Sequence, residues 1–177
     1  MSNVRSHVSL VAMAWLFTLG VVAHNIEEAI LLPAWSATIG RWHAPVGRRE
    51  FVFAAAVLSL LLLVLAAAAL SAGSQSIWAY AFTGYVFTMV ANVFVPHVVG
   101  TIALRRYVPG TATALLFNLP IGGLFLQQAV AQGFVAWGII AWAAPVTAVA
   151  IVAFIPPLFA IGRWLLAEKR FGAKSAT

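Results

Sequence analysis

Of the 177 residues, 63% are hydrophobic and 8% charged, whereas a water-soluble domain is about half apolar and a quarter charged. A soluble chain of this length still exposes roughly a third of its surface, which excludes water as the solvent for so much apolar matter and leaves lipid. The net charge of +6 falls in short segments between apolar runs, so it reads as membrane orientation, and nucleic acid is not an expected partner.

The length allows one helical domain over 1–177 and no appended soluble module. Without cysteine there is neither a disulfide nor a thiolate metal site. A bilayer core of about 30 Å takes roughly 20 apolar residues of helix, and five runs are long enough. The first, 8–32, is interrupted only by His24, Asn25, Glu27 and Glu28. Arg5 ahead of it raises a signal peptide as the rival, but the run is too long for one, and two glutamates at its end fit no cleavage site.

Residues 33–50 form a connection in which Trp35 and Trp42 accompany Arg41, Arg48, Arg49 and Glu50, a pattern expected of an interfacial segment. The second span, 51–72, is rich in Ala and Leu and uncharged; residues 73–76 are a tight turn. The third, 77–104, holds Asn92, Pro96 and His97 and ends at Arg105, Arg106 and a Tyr-Val-Pro-Gly turn. The fourth, 111–131, carries Asn118, Pro120, Gln127 and Gln128; the fifth, 134–164, carries Pro145, Pro156 and Pro157, where kinks are expected.

Five spans put the N-terminus, 73–76 and 132–133 on one side with Arg5 alone. The other side holds Arg41, Arg48, Arg49, Arg105, Arg106, Arg163, Lys169, Arg170 and Lys174, a split of one against nine. The expected fold is therefore an all-α polytopic bundle with five transmembrane helices, N-terminus outside and C-terminus cytoplasmic, in a bacterial inner membrane.

Ionisable groups inside a span cost roughly 2.5–3.5 kcal/mol each, so they normally face partners or a cavity. On a helix His24 shares a face with Glu27 and Glu28, at i+3 and i+4. One imidazole and two carboxylates from a single turn suit a divalent metal, Zn or Fe, or a proton-transfer site. A rise of about 1.5 Å per residue, counted from Pro33, Leu104 and Gly110, puts His24, His97, Asn118 and Asn92 at roughly 13, 10, 12 and 18 Å below the cytoplasmic face. Three helices thus bring polar residues to one layer. The Pro96 ring displaces the Asn92 carbonyl from the helix ladder, and the resulting kink is expected to turn Asn92 and His97 towards one pocket.

His24-x-x-Glu27-Glu28, Asn92, Pro96-His97 and Tyr107-Val108-Pro109-Gly110-x-x-Thr113 together resemble the HXXEE-motif membrane family, over the first four spans. The resemblance implies metal-dependent chemistry with His24, Glu27, Glu28 and His97 at its centre, and it names no substrate.

The metal ligands are expected among these four, with Glu27 or Glu28 also serving as general acid or base. Asn92 and Asn118 are expected to contact substrate; Arg105 and Arg106 are read first as topogenic and second, at the cytoplasmic mouth, as substrate contacts through an anionic head group. Packing glue is the alternative for the two asparagines, as it is for the His24 cluster. Gln127 and Gln128 are expected to be packing or interfacial residues, and His7 and His43 solvent-facing.

The function expected first is an intramembrane metal-dependent enzyme for a hydrophobic lipid-like or isoprenoid substrate. A metal-free acid–base isomerase or cyclase is the second reading, and a small transporter or proton/metal conduit the third. The expected partners are the bilayer and a hydrophobic small molecule, with room for a homo-oligomer.

Overall fold

The structure, a computed structural model, describes residues 9–40 and 44–174, with 166–174 described through their helical backbone alone. Arg5, His7, Arg41, Trp42 and His43 lie outside the described residues. Five helices follow one another, each long and apolar enough to cross a membrane, and no strand occurs among the described residues. They are α1 (Leu10–Ser36), α2 (Arg48–Ala72), α3 (Ile77–Leu104), α4 (Thr111–Ala131) and α5 (Trp137–Lys174).

α1 starts at Ser9, whose hydroxyl accepts from Ala12 N at 3.1 Å. It runs one turn beyond Pro33, where a break was expected. Ser36 repairs that turn: its hydroxyl donates to the Pro33 carbonyl (3.0 Å) and accepts from Val46 N (3.0 Å), which also ties down the connection to α2. Glu50 Oε1 caps the start of α2 by accepting from Gly47 N at 3.0 Å. Pro145, Pro156 and Pro157 all lie within α5.

α3 is α-helical to Asn92, is kinked within Val93–Val98 and is helical again over Val99–Leu104. Within that stretch Val95 is extended (φ −129°, ψ 115°) and the Val95–Pro96 peptide is cis. α4 contains a π-helical widening over Ala114–Asn118, just before Pro120.

The two turns expected on one side do meet. Gln75 N donates to Phe134 O (2.9 Å) and Gln75 Nε2 to Gly133 O (2.7 Å), while the Tyr80 hydroxyl accepts from Ala136 N (3.0 Å). The α2–α3 and α4–α5 turns are thereby locked into one end of the bundle. At the opposite end Arg163 of α5 approaches Glu50 of α2 at 3.7 Å.

The interior is a dry core of Phe17, Leu62, Phe82, Val86 and Phe125, with Phe82 and Phe125 edge to face at 5.2 Å. α3 and α5 pack closely because Gly84 leaves room: a Cβ there would fall 2.5 Å from Thr147 Oγ1. Leu19, Leu60, Ile102 and Val149 are more than 60% exposed, so the outer surface is as oily as the core. Such a surface is costly in water and ordinary in lipid.

Candidate metal centre

The turn of α1 that carries His24, Glu27 and Glu28 faces two ways, because adjacent helical residues are about 100° apart. Glu27 looks at the α3–α4 turn. Its Oε1 accepts from Gly110 N (2.9 Å) and from the Tyr107 hydroxyl, and its Oε2 accepts from Thr113 N (3.1 Å) and Thr113 Oγ1 (2.6 Å). These backbone amides belong to the first turn of α4, which has no internal acceptors for them. A carboxylate there satisfies them and lies favourably against the helix dipole. Glu27 is thus a clasp between α1 and α4.

The clasp fixes Gly110, and Gly110 fixes His24. With φ +90°, Gly110 holds a backbone conformation that L side chains rarely adopt, and a Cβ there would lie 2.7 Å from the Cε1 atoms of both His24 and His97. Its carbonyl is 3.1 Å from His24 Nδ1, with Thr113 Oγ1 at 3.2 Å. A carbonyl only accepts, so Nδ1 carries the ring proton and Nε2 the lone pair. That Nε2 is buried, has no hydrogen-bond partner, and lies 3.7 Å from Glu28 Oε2.

His97 reaches the same place from the kink in α3. In a regular α-helix Asn92 and His97 would point to nearly opposite sides. The helix breaks between them at extended Val95, which brings them to one side, and Asn92 Nδ2 sits 2.9 Å from His97 Nε2. The same Nε2 is 3.6 Å from Glu28 Oε1, and the two imidazoles meet edge to face with centroids 4.9 Å apart. One donor atom from each of His24, Glu28 and His97 lies within 4.8 Å of the others. Both histidines are 1% exposed.

A cavity of about 260 Å³ opens beside this cluster. His24, Asn25, Glu28 and Asn92 form its polar side, and apolar residues such as Phe51, Ile155 and Phe159 form the rest. His97 stands behind that wall, adjoining it through Glu28 and Asn92. Asn118, expected to contact substrate, is not at the cavity. It is fully buried beside Gly20, one turn before His24, with no hydrogen-bond partner for its side chain. Arg105 and Arg106 are exposed at the end of α3 and are not among the cavity walls. Asn25 donates to Ser59 Oγ at 2.8 Å, joining α1 to α2 beside the cavity.

Three working residues of the clasp, Tyr107, Gly110 and Thr113, stood in the sequence as a turn and as part of the family resemblance, with no role given to any of them. Their spacing to Glu27, 80 to 86 residues away in the chain, carries no local signal. Thr101 and Thr111 stiffen the same turn: Thr101 Oγ1 accepts from Val108 N (3.2 Å), and Thr111 Oγ1 donates to Val108 O (2.6 Å).

Residues 15–125, which contain both histidines and both glutamates, match the family model described as "Protein of unknown function with HXXEE motif". The protein YrkK of Bacillus subtilis (strain 168), described as uncharacterized, is 34% identical over 146 residues, covering 82% of this chain and 92% of that one. No solved structure matches. With the motif standing at His24-x-x-Glu27-Glu28 and the match extending into α4, the chain belongs to the HXXEE-motif family.

Proposed function

We propose that the protein is a membrane-embedded, metal-dependent enzyme for a hydrophobic, lipid-like or isoprenoid substrate. His24, Glu28 and His97 would hold one divalent cation, Zn or Fe. The observation that carries this reading is the buried, unpartnered His24 Nε2, aimed at a carboxylate and a second imidazole while its other nitrogen is held by a backbone carbonyl. A buried polar atom without a partner is costly, and a cation at this point relieves the cost. A carbonyl on the far nitrogen is also the usual support of a ligating histidine.

The donor set fits: two imidazoles and one carboxylate leave coordination positions open, as catalytic Zn and non-haem Fe sites require. His97 Nε2 has a single lone pair, so a cation there replaces the Asn92 contact. A bound cation would supply Lewis-acid polarisation of a substrate oxygen. The chain's own residues do the rest. Gly110 holds the His24 tautomer, Glu27 holds Gly110, and the apolar cavity walls exclude water, which strengthens every charge interaction inside.

The orientation that accompanies this reading has the N-terminus outside and the C-terminus in the cytoplasm of a bacterium. The site then lies in the inner half of the inner membrane. The excess of Arg and Lys at the Glu50–Arg163 end supports it.

Elemental analysis of protein purified in mild detergent without chelators tests the function. A stoichiometric metal is expected in the parent protein, and its loss is expected in folded His24→Ala and Glu28→Ala variants. Protein with no stoichiometric metal overturns the metal reading. Catalysis that survives exhaustive chelation would assign Glu28 as a metal-free acid–base group instead.

A further inference from the structure

The cavity beside His24 shares a wall with a second depression. Leu58, Tyr85 and Ile151 line both, and the second, of about 330 Å³, lies between α2, α3 and α5. The further walls of that groove include Leu61, Leu65, Ala81, Ala150 and Phe154. Only two of its residues have polar side-chain atoms, and both are already used. The Tyr85 hydroxyl donates to Leu58 O at 3.2 Å, and Thr147 Oγ1 donates to Ala143 O at 2.9 Å. Nothing in the groove asks for a polar occupant.

From Phe51 at the cavity to Leu65 at the far end of the groove, α2 rises about 21 Å. One leaflet is half of a hydrocarbon core about 30 Å thick, so the path is long enough for a whole lipid chain. The groove also faces outward: Phe154 is 48% and Leu61 36% exposed.

A third depression, about 380 Å³ between α1 and α2, is equally apolar and larger. It shares one residue with the His24 cavity, Asn25, whose side-chain amide is engaged by Ser59 Oγ. The α2–α3–α5 groove adjoins the cavity more broadly, across a wall of three shared residues, Leu58, Tyr85 and Ile151.

Resting on the enzymatic reading above, we propose that the substrate is a single-chain amphiphile that enters sideways from the bilayer. Its polar group reaches the His24–Glu28–Asn92 side of the cavity, and its one long hydrocarbon chain, acyl or prenyl, passes Tyr85 into the α2–α3–α5 groove. Tyr85, 2% exposed, forms the threshold between head and tail.

Photo-crosslinking of the nanodisc-embedded protein with hexadecanol carrying a diazirine near its terminal methyl group tests this. Label is expected at Leu61, Leu65 and Phe154, and unlabelled hexadecanol is expected to displace it. Ala150→Trp, which fills the groove, is expected to lower that label several-fold and to leave the metal content unchanged; Ala150→Leu serves if the tryptophan disturbs folding. Label spread equally over the α1–α2 groove at Val22, Ala29 and Ala55, or label insensitive to both competitor and substitution, overturns the proposal. Metal content is read on the same samples, so loss of the metal reading is seen separately.

Discussion

Glu27 and Glu28 are neighbours in the chain, yet their carboxylates face different helices. Glu27 accepts from Gly110 N, Thr113 N, Thr113 Oγ1 and the Tyr107 hydroxyl at the start of α4. Glu28 lies 3.7 Å from His24 Nε2 and 3.6 Å from His97 Nε2, beyond ordinary hydrogen-bond length. The paired glutamates of the motif therefore divide the labour, one holding the architecture and one lining the site.

That division predicts opposite phenotypes. Glu27→Ala leaves two backbone amides and two hydroxyls without their acceptor, and a loss of about 2–3 kcal/mol in stability is expected. Its metal affinity should fall by about 10–100-fold, the usual effect of removing a group that orients a ligand. Glu28→Gln breaks no bond to the backbone, so its melting temperature in detergent should stay near that of the parent while stoichiometric metal is lost. Thermal unfolding and metal content measured on both variants decide the point. A stable Glu27→Ala beside an unfolded Glu28→Gln would refute the assignment.

Gly110 and Gly73 provide a matched pair. Both have positive φ, +90° and +78°, but a Cβ at Gly73 meets nothing within 4 Å, whereas one at Gly110 meets both imidazoles at 2.7 Å. Alanine at either position should cost about 1–3 kcal/mol through backbone strain. Only Gly110→Ala should also displace His24 and His97 and abolish metal binding. Equal metal content in the two variants would mean that the turn does not shape the site.

Tyr107 makes the clasp testable by pH. Its phenol is held above the ordinary value near 10, first by partial burial and then by its bond to Glu27. A raised pKa in the folded state means that the contribution is fully present below the unfolded value and fades as pH rises through the folded one. Tyr107→Phe should thus be less stable than the parent by a constant margin between about pH 6 and 9. The two proteins should converge above the tyrosine range. A margin that changes within the neutral range would trace the bond's strength to another group.

How much of this was legible in the sequence depends on what fixes each feature. The five spans were legible because lipid demands long apolar helices whatever their partners. Pro33 misled as an end to α1 because its repair by Ser36 and Val46 is a tertiary detail. The meeting of Asn92 and His97 was legible, since Pro96 perturbs the ladder locally and predictably. Asn118 shows the limit of counting residues: rise gives depth but not rotation, and its side chain turns to Gly20 instead of the cavity. The roles of Glu27 and Glu28 were hidden for the same reason, because which face of α1 meets the α3–α4 turn is settled by packing. Phe51, Tyr85 and Phe159 could not be singled out as cavity walls in a chain where 63% of residues are hydrophobic.

The orientation yields a prediction that the chain's own composition makes easy to test. It has no cysteine, so each introduced thiol is a single reporter. The Gln75–Gly133 and Gln75–Phe134 hydrogen bonds place the 73–76 and 132–133 turns at the same end. Arg48, Arg49, Arg105 and Arg106 flank the helix ends at the other, and basic residues stay on the cytoplasmic side. Ser74→Cys should therefore react with a membrane-impermeant maleimide in intact cells, and Ala37→Cys, exposed at the end of α1, only after the membrane is opened. The reverse pattern would invert the bundle and move the His24–Glu28–His97 cluster to the outer half. Reaction of both thiols in intact cells would break the five-span topology itself.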